Sequence, residues 1–460
     1  MDVTLSIDGQ NISCPAGSNI LEAAELNGIK IPRLCHHPDL KPYGACRLCL
    51  VEDVKSGRIM ASCVTPAGQD MAVMTESPRV IKHRKNIVRL MIAEHPESCI
   101  VCSKGNRCRL RLAAAELGVG ETELYPMPNY KGLEQANPFI IRDLSKCILC
   151  GKCIRADHEL VVVGAIDYNM RGFESRPTTL NELALEHSTC TFCGTCVSMC
   201  PTGALSVKNT FYVGTPEEES LSVCGFCGIG CSLMLGTAYG RVMEVNPSED
   251  RDSVNGATLC VRGHFAHDFL NSDQRLTVPQ IRKEDELVEA SWDEALELAA
   301  VRLTAIAKEN GPQSVAFLGS SKCTNEENYL FQKIARTILK TNNVDNGSYI
   351  SGRTSLQVLE ERTGGGYRQR PLAGLEEAEA VLILGANPHD SMPVASYYLK
   401  RASRLGIPLV VVDPRRTDLV DFSSAWLSPF PGTDAALING LALALINKNA
   451  YDAAAIVQFT

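Results

Sequence analysis

The chain has 460 residues, 45% of them hydrophobic and 21% charged, an ordinary balance for a folded globular protein with room for several domains. Its formal net charge of −8 argues against nucleic acid as the main partner. The start, MDVTLSIDGQ, lacks a basic stretch followed by an apolar run, so no secretory leader is expected. The longest apolar runs, such as residues 380–385 and 407–412, are strand-length, which excludes a membrane helix and leads to a cytoplasmic location. Thiols stay reduced there, and 20 cysteines then mean metal or redox chemistry rather than disulfides.

In chain order, residues 1–78 open with Val3, Leu5 and Ile7 in alternation and an Asp8-Gly9 turn, predicting a hairpin, then a short helix over 20–26 and cysteines in Gly/Pro-rich loops. Residues 79–120 read as a helix with a basic face (Arg79, Lys82, Arg84, Lys85, Arg89) followed by a compact Cys-rich piece. Residues 138–210 carry two similar cysteine blocks, an internal repeat, and residues 218–272 hold four more cysteines. From 273 to 460 the pattern alternates helices (292–309, 326–340) with short apolar strands (315–318, 380–384, 408–412), predicting an open α/β domain with a parallel sheet, and ends in a helical stretch over 434–459. The Gly-rich stretch RTGGGYR (362–368) follows no strand and reads as a loop.

The cysteines sort by spacing. Cys35, Cys46, Cys49 and Cys63 form a four-thiolate set on loops. Zinc and a 2Fe–2S cluster share its tight pair, and the long first gap after a hairpin and helix favours 2Fe–2S. His95, Cys99, Cys102 and Cys108 suit zinc or a His-ligated cluster, which the residues alone leave open. Cys190-x2-Cys193-x2-Cys196-x3-Cys200-Pro201 is the bacterial ferredoxin run, in which the fourth cysteine serves the other cluster. Its partner block is Cys147, Cys150 and Cys153, so Cys200 completes that 4Fe–4S set. The matching fourth position for Cys190, Cys193 and Cys196 is Asp157, not a cysteine. That cluster is expected to be carboxylate-ligated, three-iron, or completed by water or His158, unless Asp157 simply faces solvent. Cys224, Cys227, Cys231 and Cys260 make a further 4Fe–4S set, with Arg262 two residues on. Eighteen of the 20 cysteines fall into these sets, which scattered core cysteines would not do; Cys14 and Cys323 remain, each expected to be a small buried side chain.

This order of motifs resembles the large iron–sulfur subunit family of respiratory complex I (75 kDa type) and the α subunits of NAD(P)-linked formate dehydrogenases, and the front half is similar to the N-terminal arm of multimeric iron-only hydrogenases. CGFCGIGC, LCVRGHF, SSKCTNEENYLFQKIAR and VVVDPRRTD resemble the formate dehydrogenase branch. The resemblance implies an α+β multidomain chain. A β-grasp 2Fe–2S domain comes first, then a 4Fe–4S domain ligated by one His and three Cys and a double 4Fe–4S ferredoxin domain. A 4Fe–4S domain of the Mo/W-bisMGD type and a partial α/β molybdopterin oxidoreductase domain follow. It also implies that Gly385, Asn387, Asp413, Arg415 and Thr417, with Gly432, Thr433 and Asp434, fall where the family binds molybdopterin guanine dinucleotide, and that Arg262 stands between the nearest cluster and the pterin.

Two departures stand out. Where formate dehydrogenases carry a Cys or selenocysteine metal ligand followed by His, the chain has Ser351 and Gly352, and its length is roughly half that of a full catalytic subunit. Both make the α/β domain a doubtful catalyst and the pterin cofactor doubtful. The expected function is an electron-relay subunit working with a flavin-containing NAD(P)H dehydrogenase and further redox subunits, with no acid–base residue of its own. The rival is the catalytic subunit, or a fragment of one, of a molybdenum or tungsten formate dehydrogenase.

Overall fold

The structure is a computed structural model that describes residues 2–96, 99–120, 131–208, 215–248, 250, 252–347, 349–363 and 371–459. RTGGGYR lies almost wholly outside the described residues.

Strand Asp2–Ile7 pairs antiparallel with Gln10–Pro15 across Asp8 and Gly9, both with positive φ (51° and 82°), the geometry a tight hairpin turn needs. The alternation buries Leu5, Ile7, Ile12 and Cys14 on one face. Helix Ile20–Leu26 starts at a capping box between Asn19 and Glu22 and lays Ile20, Leu21, Ala23 and Ala24 on that face. The sheet has five strands in the order Gln10–Pro15, Asp2–Ile7, Ala72–Met74, Leu50–Asp53, Ile59–Ala61. Cys14 packs in this core as a small apolar side chain, as expected.

Helix Pro78–Glu94 starts at Ser77, whose hydroxyl accepts from the Val80 N–H, with Pro78 in the first turn. The sequence places Arg84 on its basic outer face; the structure turns it inward. It is 2% exposed, and its guanidinium donates to the carbonyls of Leu48 (3.0 Å) and Leu50 (2.7 Å) on either side of Cys49. Helical periodicity says which residues share a face, not which carbonyls elsewhere lack a donor.

The internal repeat is visible in the backbone. Leu149 and Phe192, and two residues later Gly151 and Gly194, all have positive φ (53°, 52°, 69°, 77°). Each pair leads into a short helix, Lys152–Arg155 or Thr195–Met199, and the two helices pack together. The copies then diverge. The first runs on into a π-helical turn, Ala156–Val161, which carries Asp157, whereas the second stops at Cys200-Pro201. Strands Leu133–Glu134, Ile140–Asp143 and Leu205–Val207 brace this region.

Strands Glu218–Val223, Ser232–Ala238 and Arg241–Pro247 form an antiparallel sheet whose first turn holds residues 224–231. Beyond it, Val381–Leu384, Leu409–Val412 and Ala425–Leu427 pair in parallel, as do Phe317–Gly319 and Val344–Asn346, in two separate small sheets. The expected final helix is two, Asp434–Asn447 and Ala453–Phe459. Helices Trp292–Asn310 and Asp434–Asn447 bury no residue, leaving Trp292, Leu296, Ile438 and Leu443 among the exposed apolar side chains. Among the described residues no helix is long and apolar enough to cross a membrane.

Helix Pro393–Arg404 is the contrast. Seven of its residues are buried, and it packs across two cysteine-bearing regions at once. Its Arg401 donates to the carbonyl of Leu160 (2.8 Å) and its Arg404 to that of His158, both on the π-helical turn. Tyr398 reaches the Val254 carbonyl (3.1 Å), and Tyr397 reaches that of Leu259 (3.4 Å), next to Cys260.

Candidate metal centres

Cys35, Cys46, Cys49 and Cys63 are all buried, and the Cys46 N–H donates to the Cys35 sulfur at 3.4 Å. Hydrogen bonds from the Cys46 and Cys63 thiols hold the pKa of Cys35 far below the usual thiol range and raise their own. Cys63 likewise brings Cys49 down to about 6. Four thiols sharing protons this closely are poised to give them up to a metal, since thiolates are the ligands.

The two ferredoxin-type triplets present sulfur in the same way. The Leu149 N–H donates to the Cys147 sulfur and the Phe192 N–H to the Cys190 sulfur, both at 3.4 Å. A cavity in the first copy is lined by Cys147, Cys150, Cys153 and Cys200 together with Leu144, Pro177 and Leu205. The structure thus brings Cys200 to the triplet with which its spacing pairs it. Burial pushes Cys147 up to about 11 and Cys150 up to about 12.

Asp157 does not face solvent. Burial raises its pKa, against the opposing pull of the Ile166 and Ala165 N–H groups, and its Oδ2 accepts from Ile166 N at 3.1 Å. Its charge acts on Cys190, Cys193 and Cys196, whose thiols burial already raises. The carboxylate therefore lies beside the triplet that lacks a fourth cysteine. The His158 ring is engaged elsewhere, with Nε2 at 3.0 Å from the Ile166 carbonyl.

His95 caps the C-terminal end of Pro78–Glu94, and its buried Nε2 has no hydrogen-bond partner among the described residues, which suits a metal ligand. Cys102 and Cys108 are buried and Cys99 is exposed. A Cβ added at Gly203 would lie 2.3 Å from the Cys102 sulfur. Gly203→Ala is therefore expected to displace that thiol and abolish the EPR signal of this centre alone; an unaltered spectrum would contradict the packing.

Cys224, Cys231 and Cys260 are buried and Cys227 half-buried. The Cys224 N–H donates to the Cys231 carbonyl (2.8 Å), and the Lys322 ammonium reaches the Gly225 carbonyl. Neither Lys322 nor three other residues that tie the sets together stand out in the sequence. Arg155 donates to the carbonyls of Cys35 and Lys41 (2.6 Å for the latter) and stacks over Tyr43. Lys104, in the His95 set, donates to the carbonyls of Val197 (2.6 Å) and Cys200 (3.1 Å). Tyr397 is 2% exposed and feels the charges of Cys193, Cys260 and Cys231. Arg155 and Lys104 at least stand between ligands, a positional signal; Tyr397 offers none.

Of the residues matched to the pterin site, Gly385 (φ 58°) and Asn387 follow strand Val381–Leu384, and Asp413, Arg415 and Thr417 follow Leu409–Val412, so the five gather at the C-terminal ends of neighbouring parallel strands. The Gly385 N–H donates to the Val412 carbonyl (2.8 Å), and Asp413 accepts from Arg415 N (2.8 Å). Arg262 spans to the carbonyls of Asp390 (3.0 Å) and Ser391 (3.1 Å) just beyond Asn387. Gly352 lies on helix Tyr349–Thr363; the Ser351 side chain is outside the described residues. Gly432 and Thr433 precede helix Asp434–Asn447. Among the described residues, no three His, Cys, Asp or Glu side chains close on a point that one ion would fill.

Five family models match the chain in sequence. They are the 2Fe-2S iron-sulfur cluster binding domain (residues 1–78), the NADH-ubiquinone oxidoreductase-G iron-sulfur binding region (84–123) and the 4Fe-4S dicluster domain (146–204), then the molybdopterin oxidoreductase Fe4S4 domain (217–272) and molybdopterin oxidoreductase (275–460). Similar curated proteins include the NADPH-Fe(3+) oxidoreductase subunit alpha of Geobacter sulfurreducens, 34% identical over 97% of this chain and 52% of that protein. A G-type subunit of NADH-quinone oxidoreductase from Rhizobium meliloti is 34% identical over 96% and 52%. The putative formate dehydrogenase YrhE of Bacillus subtilis is 32% identical over 98% and 50%. The chain spans about half the length of these relatives. The chain thus carries iron–sulfur and molybdopterin oxidoreductase-type domains in this order and is similar in sequence to G-type subunits of NADH-quinone oxidoreductase and to formate dehydrogenase-like proteins.

Proposed function

We propose that this chain is the electron-relay subunit of an NAD(P)H-linked oxidoreductase, standing between a flavin-containing NAD(P)H dehydrogenase partner and a downstream acceptor or catalytic subunit. The observation that carries the reading is the cavity walled by Cys147, Cys150, Cys153 and Cys200, three of them from one repeat and the fourth from the other. Cys35, Cys46, Cys49 and Cys63 would hold a 2Fe–2S cluster on a β-grasp domain over residues 1–78. His95, Cys99, Cys102 and Cys108 would hold a 4Fe–4S cluster over 79–120. The double ferredoxin domain over 138–210 would hold two, one on Cys147, Cys150, Cys153 and Cys200, the other on Cys190, Cys193, Cys196 and Asp157. Cys224, Cys227, Cys231 and Cys260 would hold the last over 218–272, followed by the α/β domain over 273–460. A cytoplasmic setting suits so many reduced thiols.

Bound clusters supply one-electron carriers; the chain's own residues hold them, set their spacing and keep water out. Arg155 ties the Cys35 loop to the helix that carries Cys153, and Lys104 ties the His95 set to Cys200. The N–H groups aimed at Cys147 and Cys190 would stabilise negative charge on a bound centre, against the opposing effect of the dry walls around the buried sulfurs. Anaerobic reductive titration tests the reading: about five electrons per chain are expected, one for each cluster. Uptake of one or two electrons would contradict it.

For Asp157, the Asp157→Cys variant is expected to change the EPR spectrum of one cluster and leave the others intact, because the carboxylate's charge acts on all three cysteines of the Cys190 triplet. An unchanged spectrum excludes ligation by Asp157.

A second reading, the catalytic subunit of a molybdenum or tungsten formate dehydrogenase or a portion of one, is favoured by one observation. Asn387 Oδ1 and Thr417 Oγ1, at the strand ends matched to the pterin site, are buried without partners among the described residues. These atoms, with Arg262, would face a bound dinucleotide. Molybdenum or tungsten near one per chain, with formate oxidation, would establish it.

A further inference from the structure

His264 is 4% exposed, and neither of its ring nitrogens has a hydrogen-bond partner among the described residues. A buried polar group left without a partner bears its full desolvation cost, so a ring N–H in this position points to an acceptor that the polypeptide does not supply. The ring packs on the loop between Cys193 and Cys196: a Cβ added at Gly194 would lie 2.6 Å from its Cγ and 2.7 Å from its Nδ1. Phe265 covers another side, with ring centroids 4.5 Å apart. The carbonyl of Cys260 is taken by the backbone N–H of His264 itself (2.9 Å).

Helix Val261–Phe265 shows which centre the ring faces. Successive helical residues point about 100° apart. A Cβ on Gly263 would sit 3.8 Å from the Cys224 sulfur, so Gly263 looks towards the Cys224 set. His264, the next residue, looks away from it towards Gly194 and the Cys190 triplet. The glycine at 263 lets the helix approach one set closely, and the histidine at 264 presents its ring to the other.

We propose that His264 donates a ring N–H hydrogen bond to a sulfur of the cluster held at Cys190, Cys193 and Cys196, acting as a positioning residue that raises that cluster's potential and fixes its separation from the Cys224 set. The proposal rests on the cluster assignment made above. A hydrogen bond to sulfur stabilises the reduced, more negative state, so its loss lowers the potential.

The test uses the full chain, purified anaerobically, with the signal of this cluster identified by its response to Asp157→Cys. In an EPR-monitored redox titration, His264→Leu is expected to shift the oxidised-to-reduced ratio of this cluster about tenfold towards oxidised, which is ~59 mV lower for a one-electron couple, with the other clusters and the iron content unchanged. His264→Gln, which keeps an N–H, should recover much of the shift. An unchanged potential at full iron content overturns the proposal, as does a shift confined to the Cys224 set. Should the variants not fold, unaltered protein labelled with 15N-histidine gives the answer. A weak 15N coupling at this cluster supports the hydrogen bond, whereas no coupling, or a strong one that marks direct ligation, overturns it. Absence of the cluster's own signal in unaltered protein refutes the cluster assignment, a separate failure.

Discussion

Cys200→Ala is expected to lower iron by about one atom per chain where a three-iron cluster stays on the remaining thiols and by about four, the content of one 4Fe–4S cluster, where it is lost, and to impede electrons that enter at the Cys35 end from reaching the Cys190 and Cys224 sets. The cavity walled by Cys147, Cys150, Cys153 and Cys200 has ties to other sets on two sides. On one side, Arg155 leads from the helix that carries Cys153 to the carbonyl of Cys35. On the other, the helix before Cys200 belongs to the Cys190 triplet. Alanine cannot ligate, and the three remaining thiols cannot complete the site. Cys323→Ala, at an exposed thiol outside every set, is the control and should change neither iron content nor electron passage. The measurement is iron per chain, with freeze-quench EPR of the distal clusters after reduction at the first. Full iron content in Cys200→Ala would place the fourth ligand elsewhere.

Tyr397→Ala is expected to destabilise the packing of helix Pro393–Arg404 by about 3–5 kcal/mol, the range for truncating a large buried side chain. Tyr397 is 2% exposed and shares a core with Val161, Cys224, Cys231, Leu233, Val245 and Leu259. That core joins the turn after Asp157 to the sheet that carries the Cys224 set, so its loosening should free both. Tyr397→Phe keeps the ring and loses the hydroxyl's contacts with the Leu259 carbonyl and Thr191, so about 1 kcal/mol is expected. Limited proteolysis and thermal unfolding followed by cluster absorbance check this. The multidomain chain need not unfold in one step, and the Cys224 and Cys190 sets should go first. Equal stability of Tyr397→Ala and the parent would show that the helix is not what holds the two sets together.

The local part of this arrangement is legible in the residues. Triplet spacing encodes the repeated turn, because Leu149 and Phe192 and the glycines at 151 and 194 adopt the same left-handed backbone. The ferredoxin run then assigns Cys200 to the far triplet and leaves Asp157 as the odd position; the fold walls one cavity with Cys200 and that triplet, and the Asp157 charge acts on the Cys190 triplet. The hairpin and helix Ile20–Leu26 follow from period-two burial and a capping signal. What is not legible depends on long-range contacts. Lys104 meets Cys200 across 96 positions, and Tyr397 meets Leu259 across 138. No local pattern marks a residue that satisfies a carbonyl so distant. His264 carries no mark because a histidine is informative only once its surroundings are known. Arg84 misleads because a charged residue on an amphipathic helix ordinarily faces water. In the last third of the chain the strands and helices can be read but not their packing: helix Trp292–Asn310 is helical by pattern yet buries nothing among the described residues.

The most direct test of the central claim, that these cysteines build a chain of iron–sulfur centres and the protein acts as a relay, is metal content per chain after anaerobic purification. Iron on the order of 14–18 atoms is expected from the sum of the cluster types, with zinc, molybdenum and tungsten each well below one. Zinc in place of iron would contradict the clusters, and molybdenum or tungsten near one per chain would contradict the relay.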